Sequence, residues 1–349
     1  LSLLGNLGAI LLFVILCARY LPISDTETPL TETYHSGNKR AQNKIAIIHL
    51  DGVIMEGLLN YPHKEIEQAA KDEKVKAVVF RIDSPGGSIT GSDDLHHRLV
   101  ELRDGSPAKG TAAKPIIVSM GGMAASGGYF VAMPGQTIVA ERTTLTGSIG
   151  VYAAFPNVKE GADKIGVKMI TIHQGQIKAS GSPFREMSKK EELVWQDMVD
   201  HAYDEFLAVV SEGRKKEGLD KDKLLESVEM TPLNAGPPKL KEDAKPYQRY
   251  RADGGIYTSD VALKLKLIDK IGYLDDAVEL AKQAAGGGDF KVIEYEKPIS
   301  LREIFVGGKA EKSANVLDPG VLRKGLTPRL WYLAPGCEFA GMLGAMEDK

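Results

Sequence analysis

Three short stretches carry residue types that could do chemistry together. The first, "GGMAASGGYF" (121–130), sets Ser126 among four glycines and two alanines. Side chains that small let other atoms approach the backbone closely. The stretch follows an apolar run, "KPIIVSM" (114–120), and should open a helix, so Ser126 falls at a strand-to-helix turn. A serine there can present its hydroxyl as a nucleophile, with unpaired N–H groups at hand for a developing negative charge. The plain alternative is a helix cap. The second stretch, "RIDSPGGSITG" (81–91), reads as a strand, a proline-set turn, two glycines and a helix. Its N–H groups could hold an anion or an oxyanion, or form a turn and nothing more. It has neither the lysine of a phosphate-binding loop nor a G-x-G-x-x-G pattern.

A free hydroxyl is a weak nucleophile and needs a base. The histidines stand at 35, 49, 63, 96, 97, 173 and 201, none in a setting suited to a triad. His173 ends an apolar run, and the adjacent His96 and His97 read as surface residues. Lysine is the other choice. It titrates near ~10.4 when unperturbed, so it is a base at neutral pH only if desolvated or close to positive charge. The third stretch, "HQGQIKASGSPF" (173–184), offers Lys178 among small uncharged neighbours, before a Ser-Gly-Ser-Pro turn. Alone it would pass for one more solvated lysine.

The elements that must position these residues alternate. Short apolar strands are expected over 44–52, 76–83, 114–120, 137–141 and 167–175. Helices are expected over 62–73 and 88–103, with Ile89, Leu95, Leu99 and Leu102 at helical spacing. A long helix starts at Ser188, which forms a capping box with Glu191 and would bury Met187, Val194, Met198, Ala202, Phe206 and Val209. Two more helices flank a turn at Gly272. Strands alternating with helices indicate parallel β-α units, an α/β fold. Residues 22–43 read as a polar linker and 230–253 as a proline- and lysine-rich loop insertion. Residues 290–349 read as irregular, with 301–349 a C-terminal extension beyond a folded domain at 44–300.

The bulk numbers narrow the function. The 349 residues carry a net charge of −3, which gives no footprint for nucleic acid. Cys17 and Cys337 imply no disulfide framework, and nothing has zinc-like spacing. The opening "LSLLGNLGAILLFVILCARYLP" is long enough to cross a bilayer core, which takes roughly 20 residues. Residues 1–21 therefore read as a membrane anchor, with the rest of the chain outside the cytoplasm.

Together these segments resemble the signal peptide peptidase A family, also called protease IV, in its single-repeat form. The resemblance runs from about Lys44 to Ala285. It rests on "IDSPGGS" (82–88), "GGMAASGGYFVAM" (121–133), "TLTGSIGVY" (144–152), "QIKASGSPFREMSKKE" (176–191) and "GIYTSDVALKLKLIDKIG" (255–272). It implies the fold of the Clp protease and crotonase superfamily, a spiral of β-β-α units. It implies a Ser/Lys dyad with Ser126 as nucleophile, Lys178 as general base and Ser148 orienting the lysine. The oxyanion hole it implies is formed by backbone N–H groups at Gly87 and Gly127, with Gly86 as a further candidate. It also implies peptide substrates such as signal-peptide remnants, no cofactor or metal, and a homo-oligomer. The insertion 230–253 departs from the family pattern. Three rival readings remain at this stage: a stomatin-associated type of membrane serine protease, a crotonase-type acyl-CoA enzyme, and a membrane scaffold without activity.

Overall fold

The apolar runs become the inner strands of one sheet. The computed structural model describes residues 30–231, 245–296, 330–335 and 337. In chain order the elements begin with β1 (Thr31–Gly37), β2 (Lys44–Asp51), α1 (Asn60–Lys71), β3 (Val75–Ser84), β4 (Gly86–Ser88) and α2 (Ile89–Asp104). Then come β5 (Ile116–Ala125), the single turn α3 (Gly127–Phe130), β6 (Thr137–Ala140), β7 (Leu145–Gly147), β8 (Tyr152–Ala153) and α4 (Lys159–Lys164). The long α5 (Lys189–Gly213) leads to α6 (Lys221–Leu225), β9 (Ser227–Met230) and β10 (Tyr247–Tyr250). The last are β11 (Ile256–Thr258), α7 (Ser259–Lys264), β12 (Lys270–Ile271), α8 (Leu274–Ala284), β13 (Lys291–Glu296) and β14 (Leu330–Leu333).

The main sheet runs β1-β13-β2-β3-β5-β6-β12, with β7 beside the far end of β5 and β11 beside β7. From β13 to β12 every pairing is parallel. Strands buried on both faces read as continuous apolar runs, which is why "KIAIIHL" and "KAVVF" show no polar alternation. Alternate residues still serve opposite faces. Ala46 and Ile48 of β2 and Val78 and Phe80 of β3 face a large core with Leu95 and Leu99 of α2. Ile45, Ile47, Ala77 and Val79 face a smaller one closed by Ala277, Val278 and Ala281 of α8.

The sequence reading is corrected in several places. Residues 31–37, expected as linker, form β1 antiparallel to β13, where a Thr- and Tyr-bearing stretch suits an edge. Residues 291–296, expected as irregular, form β13 inside the sheet between β1 and β2. Their run "KVIEYE" is too short and too charged to announce an inner strand. Two further stretches read as loop or irregular contain strands, since β10 pairs with β9 and β14 joins β4 and β8. Residues 232–244 of the insertion and the anchor at 1–21 lie outside the described residues; among the described residues no helix is long and apolar enough to cross a membrane.

Two departures coincide in space along the chain. Residues 167–175 form no strand, and Ile170 and Ile172 are 84 % and 95 % exposed. The capping box of α5 is present with Glu191 buried, yet the buried apolar side chains all lie in its C-terminal half, at Ala202, Phe206, Leu207 and Val210. Met198, expected inside, is exposed, as is Leu193. An apolar run makes a strand only where a partner edge exists, and among the described residues none pairs with this one. His96 also departs from expectation. It stands edge-on to Phe130, and burial lowers its pKa to about 4.

One buried group sets a pH dependence. Glu65 of α1 is fully buried, and neither carboxylate oxygen makes a well-formed hydrogen bond. Burial, followed by repulsion from Asp51 and Glu294, pushes its pKa up to about 8; the Tyr61 hydroxyl and the His49 amide offset part of the rise. Between pH ~4.5 and 8 the folded chain therefore keeps a proton that the unfolded chain has lost. Stability from this group is full below the unfolded value and is lost as pH rises through about 8. Unfolding free energies from urea titrations should fall from pH 5 to pH 8, by on the order of a few kcal/mol. Glu65→Gln should flatten that slope; an unchanged slope in the variant would show that Glu65 is not its source.

Candidate active site

The β5 strand delivers Ser126, and it changes partners to do so. Residues 117–120 pair with β6, whereas 123–125 pair with β7. The switch falls at Gly121 and Gly122. A methyl on Gly121 would meet the Asp83 carboxylate at 3.0 Å. Asp83 instead accepts from the Met123 amide at 3.0 Å and more weakly from that of Gly122 at 3.4 Å. The new partner is pinned by two threonines of the "TLTGS" segment. Thr144 donates to the Gly121 carbonyl and Thr146 to the Ala124 carbonyl, each at 2.6 Å.

Ser126 then takes a left-handed backbone, φ 56° and ψ −116°. That region is sparsely populated for a residue with a side chain and costs on the order of 1–3 kcal/mol. Its amide donates to the Gly147 carbonyl at 2.8 Å, and its carbonyl accepts from Phe130 at 2.8 Å. The hydroxyl caps nothing: Ser126 precedes α3 without a side-chain bond to it, and its Oγ is buried with no hydrogen-bond partner. The helix-cap alternative is therefore removed. The dipole argument weakens as well, because α3 is one turn of four residues.

The glycine loop lies against this turn. Gly86 has φ +95°, and a methyl there would stand 2.6 Å from the Gly127 amide nitrogen. A methyl on Gly127 would stand 3.1 Å from the Gly87 amide nitrogen and 2.5 Å from Ser92 Oγ. Gly87 admits no Cβ either, since the Ile54 carbonyl oxygen would be 1.9 Å away. Gly86, Gly87 and Gly127 thus bring their backbones together, beside Ser126. Hydroxyls hold the loop. Ser84 Oγ accepts from the Gly86 amide at 3.1 Å, and Ser88 caps α2 by accepting from Gly91 at 3.0 Å. Ser84, Ser92, Thr144 and Thr146 were not singled out in the sequence. The one signal was their type, since hydroxyls beside glycines can brace backbone that has no side chains to pack.

Ser148 sits one residue beyond the Gly147 carbonyl that holds Ser126, also left-handed at φ 53°. It is buried and donates to the Gly254 carbonyl at 3.1 Å. Lys178 is elsewhere. It lies on an exposed turn braced from α5, where Trp195 Nε1 donates to Ser180 Oγ at 2.9 Å and Lys190 bonds Gln176. Because Ser126 Oγ has no partner, Lys178 is not bonded to it within the single chain. The structure therefore brings together Ser126, Ser148 and the three glycines, and leaves the lysine on its own arm.

Comparison with known proteins finds peptidases. Residues 108–230, which hold both Ser126 and Lys178, match the model of peptidase family S49. A putative protease of Synechocystis sp. is 31 % identical over 77 % of this chain and 85 % of its own. The putative signal peptide peptidase SppA of Enterococcus faecium is 30 % identical over 76 % of this chain and 70 % of its own. Protease 4 of Haemophilus influenzae is 31 % identical over 69 % of this chain but 35 % of its own, so here the chain spans about a third of its relative. The chain belongs to peptidase family S49, the signal peptide peptidase A family.

A buried hydroxyl without a partner lowers stability. Ser126→Ala should raise the stability of the folded chain by about 1 kcal/mol, because it removes an unsatisfied polar group from a site that keeps its backbone. Thermal unfolding of the two proteins checks this, and a destabilised variant would show that Ser126 Oγ is satisfied in solution.

Proposed function

We propose that the protein is a membrane-anchored serine endopeptidase working through a Ser126/Lys178 dyad. The observation that carries the reading is Ser126 itself: a strained, unpartnered hydroxyl beside the Gly87 and Gly127 amides. Lys178, with its amine neutral, takes the Ser126 proton as Oγ attacks the carbonyl carbon of a peptide. The amides of Gly87 and Gly127 hold the oxyanion, the leaving amine takes the proton, and water hydrolyses the acyl-enzyme. Ser148 orients the lysine. The fold is that of the Clp protease and crotonase superfamily, which the parallel sheet and the glycine loop against the nucleophile support. Substrates are signal-peptide remnants or other apolar peptides outside the cytoplasm, reached from an anchor at 1–21.

The dyad is completed between copies. Lys178 stands at the end of an arm whose Ile165, Ile170 and Ile172 are all more than three-quarters exposed. Isolated apolar side chains at a surface are ordinary, but a run of them is what an interface covers. The arm of one protomer lies over the Ser126 of its neighbour, giving the unpaired run a strand edge and the lysine a drier setting.

Ser126→Ala and Lys178→Ala should each lower hydrolysis of apolar fluorogenic peptides by at least about 10³-fold. Equimolar mixing of the two variants, with subunit exchange, should restore part of the activity, since some sites then join an intact serine to an intact lysine. Mixed oligomers that stay inactive would place the dyad within one chain. Full activity in Lys178→Ala would remove the lysine from the mechanism.

A further inference from the structure

The segment read as an insertion, 230–253, runs at its end into a turn that holds Ser148 and its neighbour by three hydrogen bonds. The Ser148 amide donates to the Gly255 carbonyl at 2.9 Å, and the Gly254 amide donates to the Ile149 carbonyl at 3.0 Å. Ser148 Oγ donates to the Gly254 carbonyl at 3.1 Å. The direction of that last bond is fixed, because a carbonyl oxygen only accepts. A hydroxyl has one proton to give and two lone pairs that accept. With its proton committed to Gly254, Ser148 can meet a further group only as an acceptor.

The turn in turn depends on an ion pair. Gly254 is left-handed at φ +79°, and a methyl on Gly255 would stand 2.1 Å from Arg249 Nη2. Asp253 Oδ1 accepts from the Gly255 amide at 3.0 Å. Arg249 of β10 grips the same carboxylate at two points, Nε to Oδ2 at 2.6 Å and Nη2 to Oδ1 at 2.7 Å. Its Nη1 also donates to the Ile256 carbonyl at 3.3 Å. A two-point grip of this kind fixes direction as well as charge. The Arg249 guanidinium lies 4.1 Å from the centre of the Tyr257 ring, and a methyl on Gly147 would stand 2.8 Å from that ring. Gly147 is the residue whose carbonyl holds the Ser126 amide. The pair therefore backs both the turn at Ser148 and the ring against Gly147. Burial alone would raise the Asp253 pKa, but Arg249 and the Gly255 amide hold it below its ordinary value, so the pair is charged at neutral pH.

We propose that Asp253, braced by Arg249, is a positioning residue: by holding the Gly254–Gly255 turn it commits the Ser148 proton to the Gly254 carbonyl. Ser148 then faces Lys178 as an acceptor only. It takes an N–H of the amine and leaves the amine lone pair free for the Ser126 proton. A serine free to rotate could donate to that lone pair and block the base. The proposal rests on the dyad reading above and adds the device that sets its proton direction.

The test compares the intact chain with Asp253→Ala, Asp253→Asn, Ser148→Ala and the Asp253→Ala/Ser148→Ala double variant, on apolar fluorogenic peptides. Asp253→Ala should lower kcat about tenfold and leave KM within about twofold, because the loss falls on proton transfer and not on binding. Asp253→Asn, whose side-chain oxygen can still accept from Gly255, should recover most of that loss. The double variant should be no slower than Ser148→Ala alone, since both residues act through one hydroxyl. In Asp253→Ala the rising limb of the kcat/KM profile should move down by about 0.5 pH unit. A serine that no longer accepts from the ammonium, or that donates to the free amine, favours the neutral form. Water entering a merely loosened site would move the limb up instead, towards the ~10.4 of a free lysine. Losses that multiply in the double variant, or a limb that moves up, overturn the proposal. Where Asp253→Ala does not fold, Arg249→Lys takes its place in the same comparisons, since it keeps the charge and loses the two-point grip. Hydrogen exchange over 147–150 needs no substrate: Asp253→Ala should speed it at least about tenfold, and unchanged rates overturn the proposal. If the intact chain cuts no peptide while exchange still responds, the peptidase reading fails and the hold of Asp253 on Ser148 stands.

Discussion

The partner change of β5 is the constraint on which the site depends. A strand that stayed beside β6 to its end would carry Ser126 along the sheet, away from the glycine loop. The bend at Gly121–Gly122 hands the last residues of β5 to β7, and β7 supplies the Gly147 carbonyl that fixes the Ser126 amide. Bending a buried strand frees backbone groups, and each must find a partner or be lost to desolvation. Asp83, Thr144 and Thr146 supply those partners from three directions. Only then can Ser126 hold φ 56°, since a strained conformation persists where its surroundings over-determine it.

The same constraint explains what could be read from the sequence and what could not. The inner strands β2, β3, β5 and β6 announce themselves, because burial on both faces leaves unbroken apolar runs. Ser126 and the loop at 84–87 were visible through their glycines. The reason first given for those glycines was incomplete. Gly121 and Gly122 serve the bend, while Gly86, Gly87 and Gly127 are small because backbones meet there. Among the strands that were missed, β1, β13 and β14 lie at an edge or are paired by distant segments. Their identity is set by the register of a distant partner, as Thr31 opposite Glu296 in β1 and β13 illustrates, and no local pattern encodes that.

The opposite error, a strand expected at 167–175 and absent, has the same physics. "VKMITIHQG" has strand-forming residues, but a strand is a property of two segments. Among the described residues of one chain nothing offers it an edge, and the first half of α5, which shares the arm, is left with Leu193 and Met198 in solvent. Burying such residues is worth roughly 1.5–3 kcal/mol each relative to leaving them exposed, so a surface that could cover several at once gains more than any single contact.

Two incomplete features of the chain therefore point at one place. The arm carries a lysine and an apolar run with no cover; among the described residues the groove beside Ser126 holds no base. Docking an arm from a second copy would bring a base to Ser126 and a cover to the apolar run in one step, so each gain would favour the other.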